Sequence, residues 1–574
     1  MYSPKVSLSH YLLSCILLSL GVVMLFVLYV LKDVGGDIGD IIWRFSLIKV
    51  HLSSEWTMPY YTPGRVGGFL LAADAQDFLF SVYMLVHIII PNVIWAVKIT
   101  NLLLTIGLGT GMYVWLGCFG VENSTARVFS SILVCICGYW VMHLSTASHI
   151  WAHGIAYTPW IMVLVEYLLA ERVGYEGRYV LRVLCLAGLL FLLINSGYYW
   201  LQVTLPILLM RCVVEVLSAG RKIIESVKRL GVVILSGAFA IVLSGPRLAG
   251  IYEFQITKFP RMGGVVPHYQ VIGDTKYLLE MLARSFFDSN IIRNSVHSDM
   301  LGGFHEYTNF IGVTAALPLI FGLLGFKRIL KSKTFWGLFL AAISQVILVR
   351  TTHWGDLIRE AIPLLKQITW HWRGSATLIF ISCLLIAVGY ESLLKYRHVL
   401  RRVFVLAFMI LNFSEIIYVY AHSQKLNFSP QPPLVQIFQG ADLPSRPLEK
   451  HYVHSSLANI YGYGNGFPPQ LSYDPHLPVL ESPLEGYYNL HDVRRLAGQE
   501  ADQGYFLTHD WPLWPKEDQK EFERFVNYQQ VIEMPLYLKI INRAGIAGWL
   551  IYLASLVFII VKNLKINYHY PLNP

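Results

Sequence analysis

Long apolar stretches alternate with short polar segments along most of the chain. A helix that crosses a bilayer needs about 20 predominantly apolar residues, and by this rule the pattern predicts about twelve spans. They lie near residues 8–31, 93–118, 128–143, 154–170, 180–197, 199–217, 230–248, 307–325, 335–350, 376–394, 402–421 and 543–562. The pattern therefore predicts a polytopic α-helical membrane protein.

A further apolar segment, 78–90, is shorter than these spans and ends before Pro91. The basic residues gather in four segments, 172–182, 211–229, 327–333 and 395–402. These segments fall on one side of the membrane, as the positive-inside rule requires, if 78–90 does not cross. We therefore expect 78–90 to form a helix that lies along the outer surface.

The remaining polar sequence falls on the other, extracytoplasmic side, in segments 32–92, 249–306, 351–375 and 422–542. Segment 422–542 is rich in Pro, Gly, Tyr and Asp and contains strand-like pieces and turn signals. It predicts a small mixed α/β domain between a membrane domain, 1–421, and a last span with its tail, 543–574.

Composition excludes a water-soluble globule. The 574 residues are 55% hydrophobic and 14% charged, with a mean hydropathy of +0.50. The formal net charge of +9 could attract nucleic acid. However, Lys and Arg gather in short loops between apolar spans, as expected for cytoplasmic loops. The charge therefore indicates membrane topology, and the sequence predicts no nucleic-acid partner.

Asp37 and Asp40 follow the first predicted span directly. A carboxylate at the lipid boundary is costly unless it is solvated, paired or used. Because they are three residues apart, the two would share a face of a helical turn. Neighbouring carboxylates raise one another's pKa, which would suit one of them to take a proton from a hydroxyl group. The alternative is that either residue caps the helix that follows.

Other polar residues on the predicted outer side suit an anionic ligand. Arg65 lies in a Gly-rich segment and could hold a phosphate through its planar fork, and Asp74 and Gln76 follow it. His149 and His153 are spaced to stack on a helix. That spacing also fits a metal pair, but without a carboxylate in the motif it favours residues that line a membrane cavity.

The later outer segments add cations beside aromatic residues. The candidate residues there are Glu306, Tyr307, His353 and Arg373. Cations facing outward beside aromatic rings suit an amphipathic anion such as a lipid phosphate. For any one of them an interfacial anchor is the alternative, so the prediction depends on their gathering on one side of the membrane.

The order of these motifs resembles that of bacterial GT-C-fold membrane glycosyltransferases, most of all the YfhO-type branch. The resemblance covers roughly residues 1–420. It lies in Asp37 eight residues before Phe45, Pro63-x4-Gly68-x5-Asp74-x-Gln76, His153 with Pro159 and Glu166 opening the fourth span, Glu306-Tyr307-x2-Phe310-Ile311-Gly312, and Ile362-Pro363 followed by Arg373. The second Arg and Pro that the family often has near Arg373 are missing here.

The resemblance implies a GT-C-like fold in the bacterial inner membrane. A sugar carried by a polyprenyl phosphate would pass, with inversion, to a glycan, lipid or protein acceptor on the periplasmic or outer side. Asp37, with Asp40 as the alternate, would be the general base, and Arg65, His353 or Arg373 would stabilise the departing phosphate. Asp74, Gln76, His149, His153, Glu306 and Tyr307 would contact substrate.

Two points stay open. Some relatives of this fold use a divalent cation, so a metal remains a possible cofactor with no assigned ligands. The same outer cations would also suit a transporter or flippase of a lipid-linked saccharide, or an envelope polysaccharide polymerase or ligase.

Overall fold

The computed structural model describes ten stretches of the chain, and helices make up most of them. These stretches are residues 81–90, 92–146, 150–170, 177–197, 199–252, 275–289, 308–349, 371–395, 399–422 and 536–568. Within them there is no β-strand. The first predicted span and nearly all of the predicted mixed domain lie outside the described residues, so both remain predictions.

The principal helices are numbered α1 to α14 in chain order. They are α1 Val82–Ile89, α2 Val93–Cys118, α3 Ser124–Ile136, α4 Thr158–Ala170, α5 Gly177–Ile194, α6 Thr204–Leu217, α7 Ile223–Leu243, α8 Gly245–Ile251, α9 Thr275–Phe287, α10 Ala316–Gly325, α11 Lys333–Val349, α12 Ala376–Leu394, α13 Val399–Ala421 and α14 Leu536–Tyr568.

Shorter helical pieces connect these helices or extend them. Two are single α-turns, Gly138–Val141 and Tyr199–Gln202, and one is a π-turn, Met142–Thr146. Five are 3-10 turns: Ile150–Tyr157, Gly220–Lys222, Val313–Ala315, Phe326–Lys331 and His371–Ser375.

Seven helical stretches among the described residues are long and apolar enough to cross a membrane. They are Trp95–Cys118, Ser124–Leu144, Gly177–Ile194, Gly220–Leu243, Arg373–Leu394, Arg402–Ala421 and Leu536–Lys562. Val313–Gly325 and Lys333–Leu348 are shorter apolar helices. The prediction of a membrane protein with several spans is confirmed, whereas the total of about twelve remains a prediction.

Several helices end where the local backbone breaks the predicted span. α2 and α12 have the predicted bounds, but α3 ends at Ile136 because Cys137 is extended, with φ −61° and ψ 153°. α4 and α6 have 13 and 14 residues. Each is about 20 Å long, shorter than a hydrocarbon core of about 30 Å. A 3-10 turn, Ile150–Tyr157, precedes α4, and a separate single α-turn, Tyr199–Gln202, precedes α6, so the predicted spans 154–170 and 199–217 are composite.

α1 has eight residues and is too short to cross, as predicted for segment 78–90. It packs Tyr83, Met84 and His87 against the bundle and exposes Leu85 and Ile89. α1 is therefore a one-sided helix at the edge of the bundle, and its apolar outer face suits the membrane interface.

A buried ion network joins α4, α6 and α11. Arg211 donates to both carboxylate oxygens of Glu166, at 2.6 and 3.0 Å, and to Glu215 at 3.0 Å. Glu215 also accepts from Lys333 at 3.2 Å and from Ser226 at 3.3 Å. Two carboxylates thus face two cations, and every charge in the network has a partner of opposite sign.

This network corrects two predictions. Arg211 does not belong to a basic loop over 211–229, because it is buried inside α6 and the connection to α7 is confined to a few residues after Leu217. Glu166 does not open a span beside His153, because it lies in the last two turns of α4, where it meets Arg211.

A second set of ionic contacts lies on the same side of the bundle. Glu391, near the end of α12, accepts from the backbone N–H groups of Glu122 and Asn123, at 2.7 and 3.1 Å, and thereby satisfies donors beside the start of α3. Arg328 pairs with both Glu391 and Glu122. We call this side of the bundle, which holds both ionic clusters, the basic end, and the opposite side the polar end.

α10 and α12 touch through their backbones. A Cβ added to Gly322 would collide with the backbone of Leu385, and one added to Gly389 would collide with the carbonyl oxygen of Pro318. Small residues that allow such close approach are characteristic of helix pairs in membranes, where packing drives association.

Candidate functional site

Irregular backbone collects at the polar end, between the spanning helices. The π-turn Met142–Thr146 and the 3-10 turns Ile150–Tyr157 and His371–Ser375 all lie there. Backbone that departs from the α-helix is tolerated at membrane depth only where it is buried in protein or lines a cavity. The polar end can therefore hold polar backbone groups between the spanning helices.

His153 lies in the 3-10 turn before α4 and is fully buried. Its ring packs edge-on against Tyr83 and Tyr157, with centroids 5.1 and 5.8 Å away. The Tyr83 hydroxyl donates to Asn101 on α2. Burial raises the pKa of Tyr83, so this phenol stays neutral and remains a donor. α1 is therefore fastened to α2 directly beside His153.

The residue after His153 must be glycine. A Cβ on Gly154 would collide with the hydroxyl oxygen of Ser196, which follows the end of α5. Ser196 is itself held by a hydrogen bond of 2.6 Å to the carbonyl oxygen of Leu193. This close approach locks the His153 turn against the end of α5.

Arg247 is a buried cation that the sequence analysis missed. It lies in α8, is 3% exposed, and donates through Nη1 to the carbonyl oxygen of Asn195 at 3.0 Å. The Asn195 amide in turn donates to Ser244 at 3.0 Å. The available signal was Gly245-Pro246-Arg247 near the end of the predicted span 230–248, because proline is favoured at the first position of a new helix.

Arg373 lies in the 3-10 turn that leads into α12 and is 4% exposed. The next residue, Gly374, lies so close to the side-chain oxygen of Gln345 on α11 that a Cβ would collide with it. Arg373 is therefore held at the boundary of two apolar helices. A buried guanidinium beside apolar helices is a candidate for function, and Arg373 remains a predicted site residue.

Asn309 connects the Arg373 turn to the segment before α10. Its side-chain amide donates to Ser375 at 2.9 Å and to Ser285 on α9 at 3.4 Å. Its backbone N–H donates to the carbonyl oxygen of Ser285 at 2.9 Å. One fully buried side chain thus links three segments that are far apart in sequence.

The segment from Asn309 to Gly312 is fixed by backbone contacts on several sides. Ile311 donates to Phe286 at 3.0 Å, and Phe310 accepts from Gly138 at 2.7 Å. Gly312 has φ +88°, a conformation that favours glycine. The sequence motif Phe310-Ile311-Gly312 is therefore a structural anchor that positions the chain directly after Glu306 and Tyr307.

The short helix Tyr199–Gln202 lies next to the turns that carry the two described candidate residues. It packs against both the His153 turn and the Arg373 turn. Thr204, at the start of α6, exchanges a hydrogen bond of 2.7 Å with Thr158 at the start of α4. His153 and Arg373, predicted from distant parts of the sequence, thus flank a single element.

The other predicted site residues lie outside the described residues. They are Asp37, Asp40, Arg65, Asp74, Gln76, His149, Glu306, Tyr307 and His353. Within the part of the chain that the structure describes, no group of three or more His, Cys, Asp or Glu side chains could hold a metal ion. Because Asp37, Asp40 and His149 are not in that part, a divalent cation stays an open prediction.

Comparison with known proteins gives no family for this chain. No protein-family model matches the sequence, and no curated protein matches it. Two solved structures share a likeness at 12% sequence identity: the Archaeoglobus fulgidus oligosaccharyltransferase complex with Zn and sulfate, at a TM-score of 0.49, and the archaeal oligosaccharyltransferase AglB from Archaeoglobus fulgidus in complex with an inhibitory peptide and a dolichol-phosphate, at 0.47. They cover 81% and 82% of this chain, which spans 62% and 65% of their lengths.

Proposed function

We propose that the protein is an integral-membrane glycosyltransferase that works at the polar end of its helix bundle. The donor is a sugar on a polyprenyl phosphate, and the acceptor is a hydroxyl-bearing molecule on the extracytoplasmic side. The observation that carries the proposal is the buried Arg373, held at 4% exposure between α11 and α12 on the side where His153 is also buried. A lipid phosphate needs a cation at membrane depth, and Arg offers a planar fork that matches it.

In the proposed reaction the acceptor oxygen attacks the anomeric carbon as the bond from that carbon to the phosphate oxygen breaks. Asp37, or Asp40 in its place, takes the acceptor proton. Negative charge develops on the departing polyprenyl phosphate, which Arg373, with Arg65 or His353, stabilises. A single displacement inverts the anomeric configuration. His153, with Asp74, Gln76, His149, Glu306 and Tyr307, contacts the substrates.

The irregular backbone around Arg373 supports a role for this residue in binding the lipid phosphate, rather than a role as a simple interfacial anchor. An anchoring Arg would reach outward to the headgroups, whereas Arg373 is enclosed beside turns that depart from the α-helix. We further propose a GT-C-like fold of the YfhO-type branch in a bacterial inner membrane, with the polar end facing the periplasm or exterior.

The test is release of free polyprenyl phosphate from a panel of polyprenyl-phosphate sugars by the purified protein in nanodiscs. Wild type is compared with Asp37→Asn, Asp40→Asn and Arg373→Gln, and with Arg182→Gln at the basic end as the control. Release by wild type and the control that is lost with Arg373→Gln and with one Asp variant would support the transferase. If the intact lipid-linked saccharide moves across the bilayer and none of the proteins releases polyprenyl phosphate, the protein is a flippase and the proposal of a transferase is wrong.

A further inference from the structure

A groove opens on the lipid-facing side of the bundle, between the start of α5 and the last turns of α14. Its volume is about 470 Å³. It is lined by Gly177, Val180, Ala554, Ser555, Phe558, Ile559 and Lys562. A volume of this size lies within the range of small-molecule sites in proteins, about 300–1,000 Å³. Small side chains on both helices leave the space, and apolar carbon forms most of its wall.

The location of the groove excludes most ligands. Only 11% of the apolar window of α14 is buried, so this helix faces the hydrocarbon of the bilayer along most of its length. α5 and α14 run in opposite directions, and Gly177 and Lys562 lie on the side where α5 begins, the basic end. Because the wall faces hydrocarbon, a lipid chain is the ligand that it meets first.

Lys562 supplies the charge that selects among lipids. Three other cations of the basic end have carboxylate partners, Lys333 with Glu215, Arg328 with Glu122 and Arg229 with Glu225, and none of the three lines the groove. Lys562 lines the groove and has no ion pair within the described ranges. Arg178, exposed in the first turn of α5, adds a second positive charge next to Gly177. The rim of the groove is therefore positive, with apolar space beneath it.

We propose that this groove binds one anionic phospholipid from the leaflet at the basic end. An acyl chain lies along Val180, Ala554 and Phe558, and Lys562 contacts the phosphate. The site is separate from the proposed transfer chemistry, which lies at the polar end, and does not depend on it. Its role is to hold α14 against α5 at the basic end.

Binding can be measured with the full chain in nanodiscs of phosphatidylcholine that contain a minor fraction of phosphatidylglycerol. The probe is phosphatidylglycerol retained by the protein after extraction into detergent, counted by native mass spectrometry. Lys562→Gln should weaken retention about fivefold, since one basic residue near a lipid surface contributes about 1 kcal/mol. Lys562→Arg should preserve it. Ala554→Phe, which fills the groove from an exposed position, should abolish retention of phosphatidylglycerol and of any phosphatidylcholine that takes its place.

The matched control is Lys222→Gln, an exposed lysine of the basic end that does not line the groove. It should retain as much phosphatidylglycerol as wild type. Equal losses with Lys222→Gln and Lys562→Gln would show diffuse attraction to the surface and overturn the site. A second test uses the variant Ser555→Cys, which would form a disulfide-linked dimer if two copies of the chain met at the groove. Dimers that form in this variant and disappear when Ala554→Phe is added would also overturn the lipid site, because a second copy of the chain would then fill the groove.

Discussion

The side-chain amide of Asn309 donates a hydrogen bond of 2.9 Å to the hydroxyl group of Ser375, two residues after Arg373. Both residues are buried, and they come from segments on opposite sides of α10 and α11 in the sequence. The position of the Arg373 turn therefore depends on a residue that is distant along the chain. This relationship makes Asn309 a positioning residue of the proposed site.

Asn309→Ala should lower the free energy of unfolding by about 1–3 kcal/mol, since it removes the donor for two buried hydroxyl groups. It should also raise KM for the lipid-linked donor, because the Arg373 turn loses its link to the segment after Tyr307. Thermal unfolding in detergent and donor titrations measure the two effects. If the hydrogen bond between Asn309 and Ser375 is responsible for these effects, the two substitutions will not be additive. The double variant Asn309→Ala, Ser375→Ala should lose less stability than the sum of the losses in the two single variants.

Arg373→Lys tests whether the fork of the guanidinium matters beyond its charge. A lysine keeps the charge but offers a single compact ammonium group. We expect kcat for polyprenyl-phosphate release to fall by on the order of a hundredfold, in line with the loss of a preorganised donor. Arg182→Lys, which only changes a cation stacked on Tyr167 at 4.9 Å, should be unaffected. Full activity of Arg373→Lys would contradict recognition of phosphate by the fork.

Arg211→Met should destabilise the protein by about 3–5 kcal/mol, because it leaves Glu166 and Glu215 buried without their shared cation. The triple variant Arg211→Met, Glu166→Leu and Glu215→Leu should recover most of that stability, since no buried charge then lacks a partner. Thermal unfolding measures both. Glu225→Gln, which breaks the pair with Arg229 from a carboxylate that is 64% exposed, should cost at most about 1 kcal/mol.

Gly312→Ala should destabilise the protein by about 1–3 kcal/mol because φ at this residue is +88°. The added carbon would also lie 2.8 Å from the Asn412 amide and 3.0 Å from the Glu415 carboxylate. Glu415 accepts from the backbone N–H groups of Val313 and Thr314, so the cap of α10 would be displaced.

Gly237→Ala is the control for Gly312→Ala in the same unfolding measurement. Gly237 lies within α7 with open space around the position of a Cβ. Alanine there should be neutral or stabilise the helix by about 1 kcal/mol. Equal effects of the two substitutions would contradict a special role for the backbone of Gly312.

The sequence predicted the spanning helices best where hydrophobicity alone decides. α2 and α12 have the predicted bounds because their apolar runs are uninterrupted. The predicted spans beginning near 154 and 199 were less accurate, because the turns at Ile150–Tyr157 and Gln202 depend on contacts with distant segments. Hydropathy does not contain that information, since the residues of the turns are as apolar as the helices.

The candidate site was predictable in part. Arg373 and His153 were found from their place beside predicted spans, and the structure buries both at one end. Arg247 was missed because it fell inside the predicted span 230–248, whereas the structure ends α7 at Leu243 and begins the short helix α8 at Gly245. Glu166 and Arg211 were misplaced because each lies within an apolar helix, and only the fold shows that they pair with each other.

Glu391 also sets an order for biogenesis. It binds the backbone N–H of Glu122, and the two residues are 269 positions apart in the chain. At a synthesis rate of about 5–20 residues per second, the ribosome reaches Glu391 roughly 13 to 54 seconds after Glu122. During that interval the start of α3 lacks its acceptor, so the nascent membrane domain cannot close before α12 has been inserted.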